Sequence, residues 1–172
     1  FLPWTMHRRG RAVAAADLDG DGRVDLVLGG TIRAPARIFS RDSSGAFVPA
    51  PEGALPALST AAEVDDGPVV LCDADGDGVD DLLITRSGTR RPANRPAYQP
   101  QLLLGDGRGR FSPAPEGTLP ALPISVGAAA VADVDGDGRS DVFLGARVLP
   151  GRYPLPPRSA LLFERGGRFE DV

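Results

Sequence analysis

Apolar residues in this chain come in runs of four or five, each closed by Gly, Asp or Pro, and the runs recur in the same order. Residues 12–16 (AVAAA), 69–72 (VVLC) and 128–132 (AAAVA) each lead into an acidic stretch, and residues 24–28, 81–84 and 141–144 follow it at once. After a variable loop come residues 36–40, 101–104 and 160–163, then a Gly-rich turn and a short segment carrying Phe47, Phe111 or Phe169. Runs this short, bounded by turn residues and filled with small or β-branched side chains, predict buried strands rather than helices. No run approaches the ~20 apolar residues that a spanning helix needs. The 22 Gly and 17 Pro among 172 residues favour many turns. The expected fold class is all-β.

Three markers define a repeat. DLDGDGRVD (17–25), DADGDGVDD (73–81) and DVDGDGRSD (133–141) are spaced 56 and 60 residues apart. PAPEGALPAL (49–58) returns as PAPEGTLPAL (113–122), and the turns DSSGAF, DGRGRF and RGGRF repeat in phase with both. A unit of this length holding four antiparallel strands is a propeller blade. Three such blades are expected, over residues 1–58, 59–122 and 123–172, each with one acidic loop. Cys72 takes the place of Ala16 and Ala132, which predicts a buried core thiol. As the single cysteine it excludes an internal disulfide framework.

The acidic loops carry the candidate chemistry. Asp stands at positions 1, 3, 5 and 9 of each: Asp17, Asp19, Asp21 and Asp25; Asp73, Asp75, Asp77 and Asp81; Asp133, Asp135, Asp137 and Asp141. Position 7 is Arg23, Val79 or Arg139, which can add a backbone carbonyl. Three monodentate Asp, that carbonyl and a bidentate ninth Asp supply six oxygens, and a water makes seven, which suits Ca²⁺ better than Mg²⁺. Zinc is disfavoured because no Cys or His stands within the loops. An EF-hand needs Glu at position 12 and flanking helices; here position 12 is Leu28, Ile84 or Leu144. Asp-Gly pairs also form turns without metal, but three copies that each keep the ninth acid favour a Ca²⁺ site in every unit. Asp65, Asp66 and Asp80 are left outside the ligand set. With no cation between them the twelve ligand Asp would repel one another, so the metal-free loops are expected to be strained or mobile.

At these residues the chain resembles FG-GAP and VCBS-type repeats, the calcium-loop blades of integrin α-subunit propellers and of bacterial secreted proteins, including the cartilage-acidic-protein branch. The motifs are the three DxDGDGxxD loops, the following LVLGG, LLITR and VFLGA segments, and the closing GxF turns. Phe143 to Ala146 is similar to the Gly-Ala part of the family signature, with Arg147 where Pro would complete it. The resemblance implies a seven-bladed propeller, calcium on one rim, an extracellular, periplasmic or cell-surface location, and adhesion or ligand recognition. A closed propeller takes roughly 4–8 blades. The expectation is therefore a piece of a larger propeller, with further blades of the same chain or self-association closing the ring.

Up-and-down connectivity puts the acidic loops on one face and the loops at 85–100 and 146–158 on the other. The second face carries Arg86, Arg90, Arg91, Arg95, Arg147, Arg152 and Arg158 with Tyr98 and Tyr153. It reads either as a surface for a protein or an anionic glycan, or as solvated loops stiffened by Pro. All 19 basic residues are Arg, yet the net charge is −4, which argues against nucleic acid as a partner. His7 is the sole histidine and has no nucleophile beside it in the sequence; Trp4 reads as packing, and Glu52 and Glu116 as linker positions. The expected function is a calcium-binding structural and recognition module, not an enzyme. The alternative is the propeller part of a polysaccharide lyase or glycoside hydrolase with its catalytic groups elsewhere.

Overall fold

The computed structural model describes residues 12–56, 64–92, 96–152 and 154–172; Trp4, His7, Arg95 and Tyr153 lie outside them. Three four-stranded sheets are present. The first holds β1 (Val13–Ala16), β2 (Asp25–Leu28), β3 (Arg37–Arg41) and β4 (Phe47–Pro49). The second holds β5 (Asp65–Cys72), β6 (Asp81–Ser87), β7 (Gln101–Gly105) and β8 (Phe111–Pro113). The third holds β9 (Ser125–Ala132), β10 (Asp141–Val148), β11 (Ala160–Glu164) and β12 (Phe169–Asp171). Each is an antiparallel meander in chain order. One 3₁₀ turn, Pro96–Tyr98, is the only helical element among the described residues. The chain is all-β and built from blade-like sheets.

The hydrophobic core lies between consecutive sheets. Side chains alternate across a strand, so Leu82 and Ile84 of β6 pack with Val27 and Ile38 of the first sheet, while Leu83 joins Cys72 against Val142, Leu144 and Leu162 of the third. Every residue of β6 is therefore buried. Complete burial of each of these aliphatic side chains contributes roughly 1.5–3 kcal/mol. The first strands of the sheets, β1, β5 and β9, are neighbours along one side of the stack, as the inner strands of adjacent blades would be. Among the described residues the outer faces of the end sheets lack such cover: Val13 is 58% and Phe143 44% exposed.

The recurring linkers have a concrete role. In PAPEG the Ala54 N–H closes a turn on the Pro51 carbonyl (3.1 Å), and Thr118 does the same on Pro115 (3.2 Å). The carbonyls of Ala54 and Thr118 then accept the N–H of Phe111 (2.9 Å) and Phe169 (2.8 Å), the aromatic of the next sheet's outermost strand. Each linker thus stitches one sheet to the far edge of the following one, and both Phe residues are buried there. Phe47 has no such described linker ahead of it and stays exposed.

Four strands run longer than the apolar runs indicate. β6 continues through Thr85, Arg86 and Ser87, all buried, and β10 through Val148. Arg86 forms an ion pair with Asp66, and its second terminal nitrogen bonds the Gln101 side chain. Asp66 also accepts the Gly30 N–H, and Asp65 accepts that of Ile32 (3.0 Å), so both acids lock the β2–β3 loop of the first sheet onto the second. At the end of β7, a Cβ on Gly105 would run into the Asp80 carbonyl oxygen. Gly105→Ala is expected to lower unfolding free energy by about 1–3 kcal/mol, read by urea titration beside Gly145→Ala, whose added Cβ would meet its nearest neighbours only at ordinary contact distance, 3.4 Å.

Candidate metal centres

The acidic loops join β1 to β2, β5 to β6 and β9 to β10, and all three have one construction. The two Gly of each DGDG segment have φ between 75° and 85°, left-handed backbone that Gly adopts without a Cβ clash. This curl turns successive N–H groups inward onto the first Asp. Asp73 Oδ1 accepts Gly76 (2.7 Å) and Asp77 (3.1 Å), and its Oδ2 accepts Gly78 (2.9 Å). Asp17 and Asp133 repeat the pattern with Gly20, Asp21 and Gly22 and with Gly136, Asp137 and Gly138. Backbone donors thereby offset part of the repulsion among the carboxylates.

The ninth Asp is the buried end of each loop. Asp81 accepts the N–H of Ala74 (2.8 Å) and, across the sheet, that of Gly105 (2.8 Å). Asp25 bonds Leu18 (3.2 Å) and Arg41 (3.0 Å); Asp141 bonds Val134 (2.9 Å) and Glu164 (3.1 Å). All three are at most 1% exposed. The ninth Asp therefore ties the loop to the third strand of its sheet, a role absent from the ligand count that the sequence suggests. Burial pushes the Asp81 carboxyl up to about 6, and the carboxylates of Asp75 and Asp77 add to the rise.

The structure brings together positions 1, 3 and 9. In Asp17, Asp19 and Asp25, in Asp73, Asp75 and Asp81, and in Asp133, Asp135 and Asp141, one oxygen from each residue lies within 4.8 Å of the other two. Oxygens that share a Ca²⁺ at about 2.3–2.6 Å can stand at most ~5 Å apart, so the spacing and the all-oxygen chemistry fit a hard divalent cation. The fifth-position acids lie outside these trios. Asp21, Asp77 and Asp137 accept the N–H of Arg23 (2.8 Å), Val79 (2.8 Å) and Arg139 (3.0 Å). Asp80 is exposed and stands outside the trio as well.

The loops differ in their counter-charges. Arg23 pairs with Asp21 in the first. In the third, Arg165 from the β11–β12 turn bridges Asp135 and Asp137 (3.0 Å to the latter), and Arg139 reaches Glu164 (3.1 Å). The Arg165 contact holds the Asp135 carboxyl below the usual carboxylate range. No ion pair is described for the second loop, where Val79 replaces the arginine. Sequence reasoning missed Arg165, although the corresponding turn residues Asp42 and Asp106 mark its position as the exception.

On the opposite face the arginines divide. Arg86 and Tyr98 are fully buried and cannot meet a partner, which corrects their expected place on that surface. Burial lowers the Arg86 pKa, and the Tyr98 hydroxyl donates to the Arg91 carbonyl (3.0 Å). Arg147 lies in β10, and Arg158 pairs with Asp171. Cys72 is buried between the second and third sheets, and burial pushes its thiol up to about 12, leaving no thiolate for reaction at neutral pH.

Repeated blade-like sheets, each with a curled acidic loop between its first two strands, define a repeat module with candidate metal sites at one end. The FG-GAP-like repeat family matches residues 17–84 and again 73–144, together most of the chain. The chain belongs to that family. Each match runs from one acidic loop through the strand that follows the next, so it frames the junction between two sheets. A search of curated proteins found no match.

Proposed function

We propose that the chain is a calcium-stabilised recognition module of an extracellular, periplasmic or cell-surface protein, and that its role is structural and adhesive rather than catalytic. The observation that carries this is the threefold recurrence of one oxygen trio, each with a buried ninth Asp whose ionised form gains from a nearby cation. Asp17, Asp19 and Asp25 and their two counterparts would hold Ca²⁺, which supplies charge neutralisation and cross-links each hairpin tip. Extracellular-type sites with Kd near ~10⁻⁴–10⁻³ M fill outside the cell and stay mostly empty in the cytosol, which supports the location. Among the described residues no helix is long and apolar enough to cross a membrane. Thermal unfolding in Ca²⁺ against chelator tests the reading, and identical midpoints would reject it.

The end sheets bear on assembly. Leu26 and Leu28 hold the places that Leu82 and Ile84 hold toward the first sheet, and Phe143 holds that of Leu83 toward the third. Both outer faces thus present the positions that bury apolar surface at the two internal junctions. Further blades of the same type, from a longer chain or from a second copy, cover them in this reading. Light scattering of the 17.9 kDa chain is expected to give a mass above the monomer, and Phe143→Glu to shift it down. A compact monomer that stays soluble at high concentration contradicts it.

A further inference from the structure

The loops after β6 and β10 meet on the face opposite the acidic loops. Arg90, Arg91 and Pro92 from one and Pro150, Gly151 and Arg152 from the other line a cleft of about 430 Å³ that straddles the second and third sheets. Among the described residues, none of those lining it is acidic or aromatic. We infer that this cleft is a binding site for the carboxylate or sulfate groups of an anionic polysaccharide.

Three observations carry the assignment. The walls are set in advance of any ligand. The buried Tyr98 hydroxyl accepts the Arg91 N–H (3.2 Å) and donates to the Arg91 carbonyl (3.0 Å), fixing the backbone at the base of one wall. A turn closed from the Arg152 N–H to the Leu149 carbonyl (3.0 Å) fixes the other, and the Ser125 hydroxyl ties the Gly88 carbonyl to the third sheet (2.9 Å). Main chain held this way need not reorder when a ligand arrives, so the ordering cost is confined to the arginine side chains.

The second observation is charge. Arg23, Arg86, Arg139, Arg158 and Arg165 are spent on carboxylates of this chain. Arg90 and Arg152 are exposed and have no carboxylate partner among the described residues. A chain of net charge −4 thus concentrates guanidinium groups in one concave place, where the field on an incoming anion is focused. Guanidinium is planar and pairs two N–H groups with the two oxygens of a carboxylate or sulfate.

The third is what the lining lacks. Single-stranded nucleic acid is gripped by aromatic platforms, and non-acidic peptides by apolar pockets or a free strand edge; neither is found among the described lining residues, and acidic peptides, which arginine clusters also hold, are what the polyglutamate control below tests. A polymer that repeats its charge and carries hydroxyls between needs only spaced cations and an open channel. The inference deepens the recognition role proposed above and does not require the metal.

Titration of the calcium-loaded chain with hyaluronate (carboxylate) and heparin (sulfate) tests it, with dextran and polyglutamate as controls. Saturable binding to one or both acidic glycans is expected, weakening with salt, and the Arg90→Gln/Arg152→Gln double variant is expected to lose at least tenfold in affinity while melting at the wild-type temperature. Arg108→Gln, on the opposite face, should bind as wild type. Equal affinity of the double variant, tighter binding to polyglutamate, or no glycan binding overturns the site. Calcium-dependent melting that persists alongside any of these outcomes overturns the cleft alone and leaves the metal reading standing.

Discussion

Calcium at a hundredfold excess over Kd is expected to raise the unfolding midpoint by about 15–30 °C relative to chelator. Each site filled only in the native state contributes RT ln(1 + [Ca]/Kd), about 2.7 kcal/mol at that excess, and three independent sites about 8 kcal/mol. One kcal/mol moves the midpoint of a domain of this size by roughly 2–4 °C. The loops do not share the gain equally. Among the ion pairs described none joins an arginine to the second loop, whereas filling the third sets the cation against the Arg165 guanidinium on Asp135 and Asp137. The second site is therefore expected to fill first, and Asp75→Ala to remove about 5–10 °C of the shift. In chelator Asp75→Ala should melt close to wild type, because its carboxylate accepts a single weak bond from Asp77 (3.2 Å). Equal midpoints for both proteins in both buffers would dismiss the metal.

Asp81→Ala is expected to be costly even in chelator. The side chain is 1% exposed and satisfies two N–H groups, that of the buried Ala74 and that of the half-buried Gly105. A buried donor left unpaired costs about 1–3 kcal/mol, which applies in full to Ala74 and in part to Gly105, so the total is roughly 2–4 kcal/mol. Asp80→Ala, one residue away and exposed, should stay within about 0.5 kcal/mol of wild type. Urea unfolding of the three proteins in chelator separates a strand-tying role from a purely metal-binding one. If Asp81→Ala costs less than about 1 kcal/mol there, the tie carries little of the fold.

Strand positions and the acidic loops were legible because both rest on short-range pattern: apolar runs between Gly turns, and carboxylates at alternate positions. What stayed hidden depended on partners far along the chain. The ninth Asp reads as a ligand, yet its second bond goes to a strand 16 to 24 residues away. Arg86 reads as a loop cation because a buried guanidinium cannot be foreseen without Asp66, 20 residues earlier, which takes the charge. The PAPEG copies announced a repeat, but not that a main-chain carbonyl in each would accept the N–H of a Phe in the next sheet. Arg165 was missed for the same reason, since its carboxylates lie 28 and 30 residues back.

The packing between sheets also carries a consequence for how such chains lengthen. Both internal junctions join the trailing side of one unit to the leading side of the next, sewn by a copy of the same decapeptide. A duplicated or excised middle unit would leave a seam of the same kind behind it, because each unit answers only to its immediate neighbours. Gene-level copying can therefore add or remove whole units without inventing a new contact surface.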